Sequence, residues 1–87
     1  MNSTAAPEFW ALYNQLTPEL RKLADKNYRL WQGNPRHPSL RFLKVTPQMW
    51  SARVGRNYRA VAIFEAQRFV WVWIGKHTDY DAMLKQG

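Results

Sequence analysis

Trp50-Ser51-Ala52-Arg53-Val54-Gly55-Arg56-Asn57-Tyr58-Arg59-Ala60 is the stretch on which the fold turns. On both sides of Gly55-Arg56-Asn57 it alternates in the manner of two strands joined by a tight connection. The length of that connection decides what each face carries. A three-residue loop, with Asn57 in the left-handed region that Asn tolerates, pairs Arg53 with Arg59. Side chains alternate along strands, so both arginines then share one face. The opposite face carries Ala52, Ala60 and Ala62 near Trp50, Trp71 and Trp73, a small-against-large fit for packing on helices. A two-residue loop would place Arg53 with Tyr58 and Arg59 with Ala52, which is a poorer core. The three-residue loop is therefore expected.

Outward from this hairpin, Leu40–Val45 and Phe69–Ile74 read as two further strands, with Trp50–Val54 and Tyr58–Phe64 between them. The short links Thr46-Pro47-Gln48 and Glu65-Ala66-Gln67 favour an antiparallel meander. Upstream the period is helical. Phe9, Leu12, Tyr13 and Leu16 form one stripe, and Pro7 and Glu8 suit a first turn. Thr17-Pro18-Glu19 restarts a helix with a capping hydroxyl, a proline and an acid. Leu20, Leu23, Ala24 and Trp31 continue the apolar stripe until Gly33-Asn34-Pro35 stops it. The expected architecture is α+β, a helical hairpin on one face of a twisted four-stranded antiparallel sheet.

Eighty-seven residues make one small domain, 1–87, whose core leans on five Trp, four Tyr and four Phe. Thirteen Lys and Arg against six Asp and Glu give a net charge of +7, which favours a polyanionic partner. The longest apolar run is too short to span a bilayer, and the N-terminus lacks the pattern of an export signal. The absence of Cys rules out disulfides and thiolate chemistry. Asp79 and Asp81 lie too far in sequence from a metal-ligating arrangement with His37 and His77, so no metal or other cofactor is expected. The chain reads as a cytoplasmic protein with no membrane partner.

The helical hairpin, then Asn34-Pro35-Arg36-His37-Pro38-Ser39-Leu40, the arginine-bearing hairpin, and Trp73-Ile74-Gly75-Lys76-His77-Thr78-Asp79-Tyr80-Asp81 follow one another in an order that resembles the RelE/ParE toxin superfamily. The resemblance runs from about Phe9 to the end of the chain. It implies a basic groove on the sheet face opposite the helices. It also implies a toxin of a type II toxin–antitoxin pair, held inactive by a small antitoxin. RelE-like members cut messenger RNA in the ribosomal A site, whereas ParE-like members poison DNA gyrase. By position, Arg59 matches the recurring Arg after the aromatic, and Arg53 a basic strand position. His77 matches the catalytic position just after the last strand, and Tyr80 the nearby aromatic. The chain departs from the pattern in three places. Only Asn2–Ala6 could supply the strand that often precedes the first helix. Ser51 stands where ribosome-dependent members often have Lys. The chain stops soon after Leu84, which leaves no room for a long final helix.

Cleavage of RNA by its own 2′-hydroxyl needs a base, an acid and cations for the developing charge. His77 is the candidate acid or base, because imidazole is the side chain suited to proton transfer near neutral pH, and Arg59 has the fork that clamps a phosphate. Arg53 and Tyr80 complete the expected catalytic set. Lys44, Arg41, Ser51, Arg56 and Lys76 are the expected RNA contacts, with the facing of Lys44 and Arg41 left open. Three functions compete: an endoribonuclease, a gyrase inhibitor, and a basic module that binds RNA or an acidic protein without chemistry.

Overall fold

A computed structural model describes residues 2–86, apart from the side chain of Gln86. Strand β1 (Ser3–Ala5) leads into α1 (Pro7–Tyr13) and α2 (Pro18–Gly33). A short 3-10 helix (Pro38–Leu40) precedes β2 (Leu43–Lys44), β3 (Met49–Val54), β4 (Tyr58–Glu65) and β5 (Arg68–Lys76). Helix α3 (His77–Gln86) follows β5 without a break. The sheet runs in the order β1-β5-β4-β3-β2. The α+β class and the helical hairpin agree with the sequence, but the sheet has five strands and is mixed.

The fifth strand is β1, which runs parallel to β5 with Ser3 opposite Phe69 and Ala5 opposite Trp71. The Ala6 N–H donates to the Trp71 carbonyl at 2.9 Å, and Ser3 Oγ lies 2.6 Å from Tyr28 Oη. Ser-Thr-Ala has no apolar alternation, so this strand exists through pairing across the chain rather than through its own pattern. At the other edge the expected strand Leu40–Val45 shrinks to Leu43–Lys44. His37 Nδ1 accepts from the Ser39 N–H, which winds Pro38–Leu40 into a 3-10 turn and leaves Arg41 at a φ of +43°. A left-handed residue cannot continue a strand ladder.

Helix α2 starts where expected, with Thr17 Oγ1 accepting from the Leu20 N–H at 3.3 Å. It lays Trp31 onto the sheet, where the indole meets Phe42, Phe69 and Trp71 edge-on at 5.2 to 5.5 Å between centroids. Trp31 is almost fully buried. A side chain this large, packed this way, contributes on the order of 3–5 kcal/mol relative to alanine. The alanines behave in two ways. Ala62 is sealed between Trp50 and Trp71 in neighbouring strands, the fit read from the sequence. Ala5, Ala24, Ala52 and Ala60 instead wall a cavity of about 320 Å³ between the helices and the sheet.

Candidate active site on the sheet face opposite the helices

The hairpin register is the three-residue one, with Arg53 opposite Arg59 and Val54 opposite Tyr58. The left-handed residue of the loop is Gly55, at φ +67°, and not Asn57. Glycine adopts that conformation without the steric penalty of a Cβ. Asn57 acts through its backbone instead, its carbonyl accepting the His77 N–H at 2.7 Å. The loop that sets the arginine register therefore also holds the first residue of α3.

Strand β5 carries an irregularity that the alternating pattern does not reveal. Trp71 pairs with Ala62 but Trp73 pairs with Val61, so Val72 is an extra residue in the ladder. A bulge of this kind reverses the facing of everything beyond it. Trp71 consequently faces the helices, whereas Trp73 emerges on the arginine face. The expectation that Trp73 packs with the alanines is corrected by this one residue. Trp73 lies across Gly75, and a Cβ at that glycine would come within 2.7 Å of the indole ring.

Tyr80, buried on α3, packs against Trp73 with ring centroids 6.5 Å apart. The Arg59 guanidinium sits 5.4 Å from the centre of the Tyr80 ring, in the range of a cation–π contact. Arg59 Nη1 also reaches the hydroxyl of Ser51, at a long 3.5 Å. Its Nε is buried with no hydrogen-bond partner among the described residues. The His77 ring lies 6.1 Å from that of Tyr80, so Arg59, Tyr80 and His77 form one continuous group. His77 Nδ1 stands 3.0 Å from Asp81 Oδ2, one helical turn on.

Other expected site residues are placed differently. Ser51 is buried beneath the sheet surface, where it contacts Arg59 rather than lying open to a ligand. Arg53 shares a face with Arg59, but its Nε–H donates to the Gly55 carbonyl at 3.0 Å, which ties it to its own turn. Lys44 pairs with Trp50 and so belongs to the helix face of the sheet, and Arg41 lies outside any strand. Arg56 and Lys76 are exposed, in the hairpin loop and at the end of β5. His37 is engaged with Ser39 and takes no part in this group. Two members of the neighbourhood are missing from the expected set. The bulge hides Trp73, and Asp81 is weighed in the sequence only as a metal ligand and set aside, although its i, i+4 spacing from His77 is visible there.

The cavity beside the helices lies on the other side of the sheet. Of the expected catalytic set only Arg53 borders it, and neither His77 nor Arg59 does. Its size alone does not mark it as the site, because His77, Tyr80 and Arg59 gather on the opposite face.

Neither a protein-family model nor a curated protein sequence matches the chain. Solved structures do. The RelB-RelE antitoxin-toxin complex from Methanococcus jannaschii superposes with a TM-score of 0.70 at 17% identity, over 91% of this chain and 96% of that one. The chain has the RelE/ParE toxin fold. The YoeB/ParE toxin from Agrobacterium tumefaciens superposes at a TM-score of 0.69 and 15% identity, covering 88% of this chain and 99% of that one. The isolated RelE toxin of E. coli gives 0.66 and 15%, over 98% and 96%. In this fold Arg59 lies on the sheet face away from α1 and α2, and Tyr80 and His77 reach it from α3. No helix among the described residues is long and apolar enough to cross a membrane.

Proposed function

We propose that this chain is the toxin of a type II toxin–antitoxin pair and acts as an endoribonuclease on messenger RNA, in the cytoplasm and at the ribosome. The observation that carries the reading is the continuous group of His77, Tyr80 and Arg59. In the reaction the 2′-oxygen bonds to phosphorus, the bond from phosphorus to the 5′-oxygen breaks, and the products carry a 2′,3′-cyclic phosphate and a 5′-hydroxyl. His77 exchanges a proton with the reacting oxygens. Arg59 faces the charge that grows on the phosphoryl oxygens, and Tyr80 and Ser51 hold its guanidinium in place. Because that guanidinium is already ordered, little reorganisation is needed when charge develops.

Exposed Arg56 and Lys76 add phosphate contacts around the group, in keeping with the net charge of +7. A small antitoxin is the second partner, acidic where it crosses the arginine face. The M. jannaschii neighbour is a toxin in complex with its antitoxin, which supports a protein partner for this fold. The test is inducible expression followed by mapping of messenger RNA ends. Growth arrest with new 5′-hydroxyl ends is expected, and His77→Ala or Arg59→Ala should abolish both. Arrest that survives these substitutions, together with loss of gyrase supercoiling, would replace the nuclease by the gyrase reading.

A further inference from the structure

His77 can act as either acid or base in such a cleavage, and its neighbour Asp81 bears on which. The two side chains are joined at 3.0 Å through Nδ1, and both are about half exposed, at 44% and 49%. A carboxylate accepts hydrogen bonds and, when ionised, cannot donate one. Contact through Nδ1 therefore puts the proton on Nδ1 and leaves the lone pair on Nε2. In a free imidazole the preference runs mildly the other way, towards a proton on Nε2. Which nitrogen holds the proton is set by the hydrogen bond that its companion makes. Resting on the nuclease reading, we infer that Asp81 is a positioning residue that holds neutral His77 in the Nδ1–H form, so that Nε2 serves as the base that takes the 2′-hydroxyl proton.

The local architecture supports the arrangement. His77 opens α3, and its backbone is fixed by the Asn57 carbonyl, so the ring starts from an anchored point. Asp81 lies one turn later on the same helical face, the spacing at which side chains meet. No hydrogen-bond partner for Nε2 occurs among the described residues. The balance of the step is simple. The 2′-proton passes to Nε2, the 2′-oxygen bonds to phosphorus, and the 5′-oxygen leaves with its electron pair and takes a proton from solvent. Proton uptake makes the imidazole cationic, and the Asp81 carboxylate opposes that new charge from the far side of the ring. Asp81 contributes by orientation and charge without itself touching RNA.

The test is nitrogen-15 spectroscopy of the histidine rings at alkaline pH, where a free imidazole is neutral, on the full-length protein and on Asp81→Ala. Alanine preserves the helix, so folding is retained, and circular dichroism checks it. For His77 the parent should show a protonated Nδ1 and an unprotonated Nε2, and Asp81→Ala should reverse the pattern. In RNA cleavage, Asp81→Ala should lower kcat roughly 10- to 100-fold with KM nearly unchanged. A parent spectrum with the proton on Nε2, or an Asp81→Ala spectrum identical to the parent, overturns the inference. A parent that shows the Nδ1–H spectrum but cuts no RNA, free or ribosomal, supports the orientation and overturns the nuclease reading instead. The spectrum and the cleavage assay thus fail independently.

Discussion

The backbone of His77 hangs from the hairpin loop, its N–H donating to the Asn57 carbonyl at 2.7 Å. Three consecutive loop residues therefore govern both the register of Arg59 and the start of the helix that bears His77 and Tyr80. The left-handed Gly55 makes that loop feasible, and a Cβ there would also fall 2.6 Å from a methyl of Leu23. Gly55→Ala should cost about 1–2 kcal/mol, the penalty for an L-residue in that conformation. Chemical denaturation will measure it. RNA cleavage should fall at temperatures where the variant is still folded, because the loop no longer presents Asn57 correctly.

Gly75 is required for a different reason. Its backbone leaves room for the Trp73 indole, which would otherwise meet a new methyl at 2.7 and 2.8 Å. Gly75→Ala must push the ring away, and Trp73 supports Tyr80, which lies beneath Arg59. Overpacking of this kind costs roughly 1–3 kcal/mol. The melting temperature should drop by at least about 4 °C for a domain of this size. Cleavage should fall further than stability alone explains.

In the proposed reaction Arg59 would act through its planar fork and its contact with the Tyr80 ring, whose geometry Lys does not reproduce. Arg59→Lys should keep the fold and the charge yet lower RNA cleavage at least about tenfold, the rate equivalent of roughly 1.4 kcal/mol of transition-state stabilisation. Salt-dependent binding of RNA should change little, since the net charge is retained. Equal cleavage by Lys would mean that only the charge at this position matters.

Ala66 and Gln67 both take positive φ, at +50° and +61°, in the two-residue turn that joins Glu65 to Arg68. Turns of this type prefer Asn followed by Gly. The double substitution Ala66→Asn and Gln67→Gly should stabilise the protein by about 1 kcal/mol. The midpoint of thermal unfolding should rise by about 4–8 °C. The turn lies at the end of β5 remote from His77, so cleavage should stay the same.

Tyr13 ties α1 to α2 by donating to Asp25 Oδ1 at 2.8 Å. That hydrogen bond, then burial and the Asp25 charge, raise the Tyr13 pKa, with a smaller opposing effect from Arg21. A phenol whose native pKa exceeds its unfolded value stabilises the fold fully below the unfolded value of about 10. The contribution disappears as pH rises through the native value. The stability difference between the parent and Tyr13→Phe should thus be steady through neutral and mildly alkaline pH and close above about pH 10. It should be small, because the pair is solvated. Urea unfolding across alkaline pH reads it directly.

Local chemistry made much of this protein legible. Thr17-Pro18-Glu19 starts α2, and the helical stripe through Trp31 faces the sheet because each signal acts within a few residues of itself. The hairpin register followed from requiring that alanines and tryptophans share a face, a condition strong enough to choose the loop length. The resemblance points to Arg53, Arg59, Tyr80 and His77 as a set; the structure brings Arg59, Tyr80 and His77 together, whereas Arg53 is tied to its own turn. Sequence by itself thus determined the α1–α2 hairpin, the β3–β4–β5 meander and the Arg53–Arg59 pairing. Tertiary structure alone decided the rest. Pairing with β5 made a strand of Ser3–Ala5, and one extra residue, Val72, turned Trp73 to the other face. Pairing with β4 also sank Ser51 beneath Arg59. The physical reason is common to all three: strand pairing and burial depend on groups distant in the chain, and alternation along one strand carries no record of them.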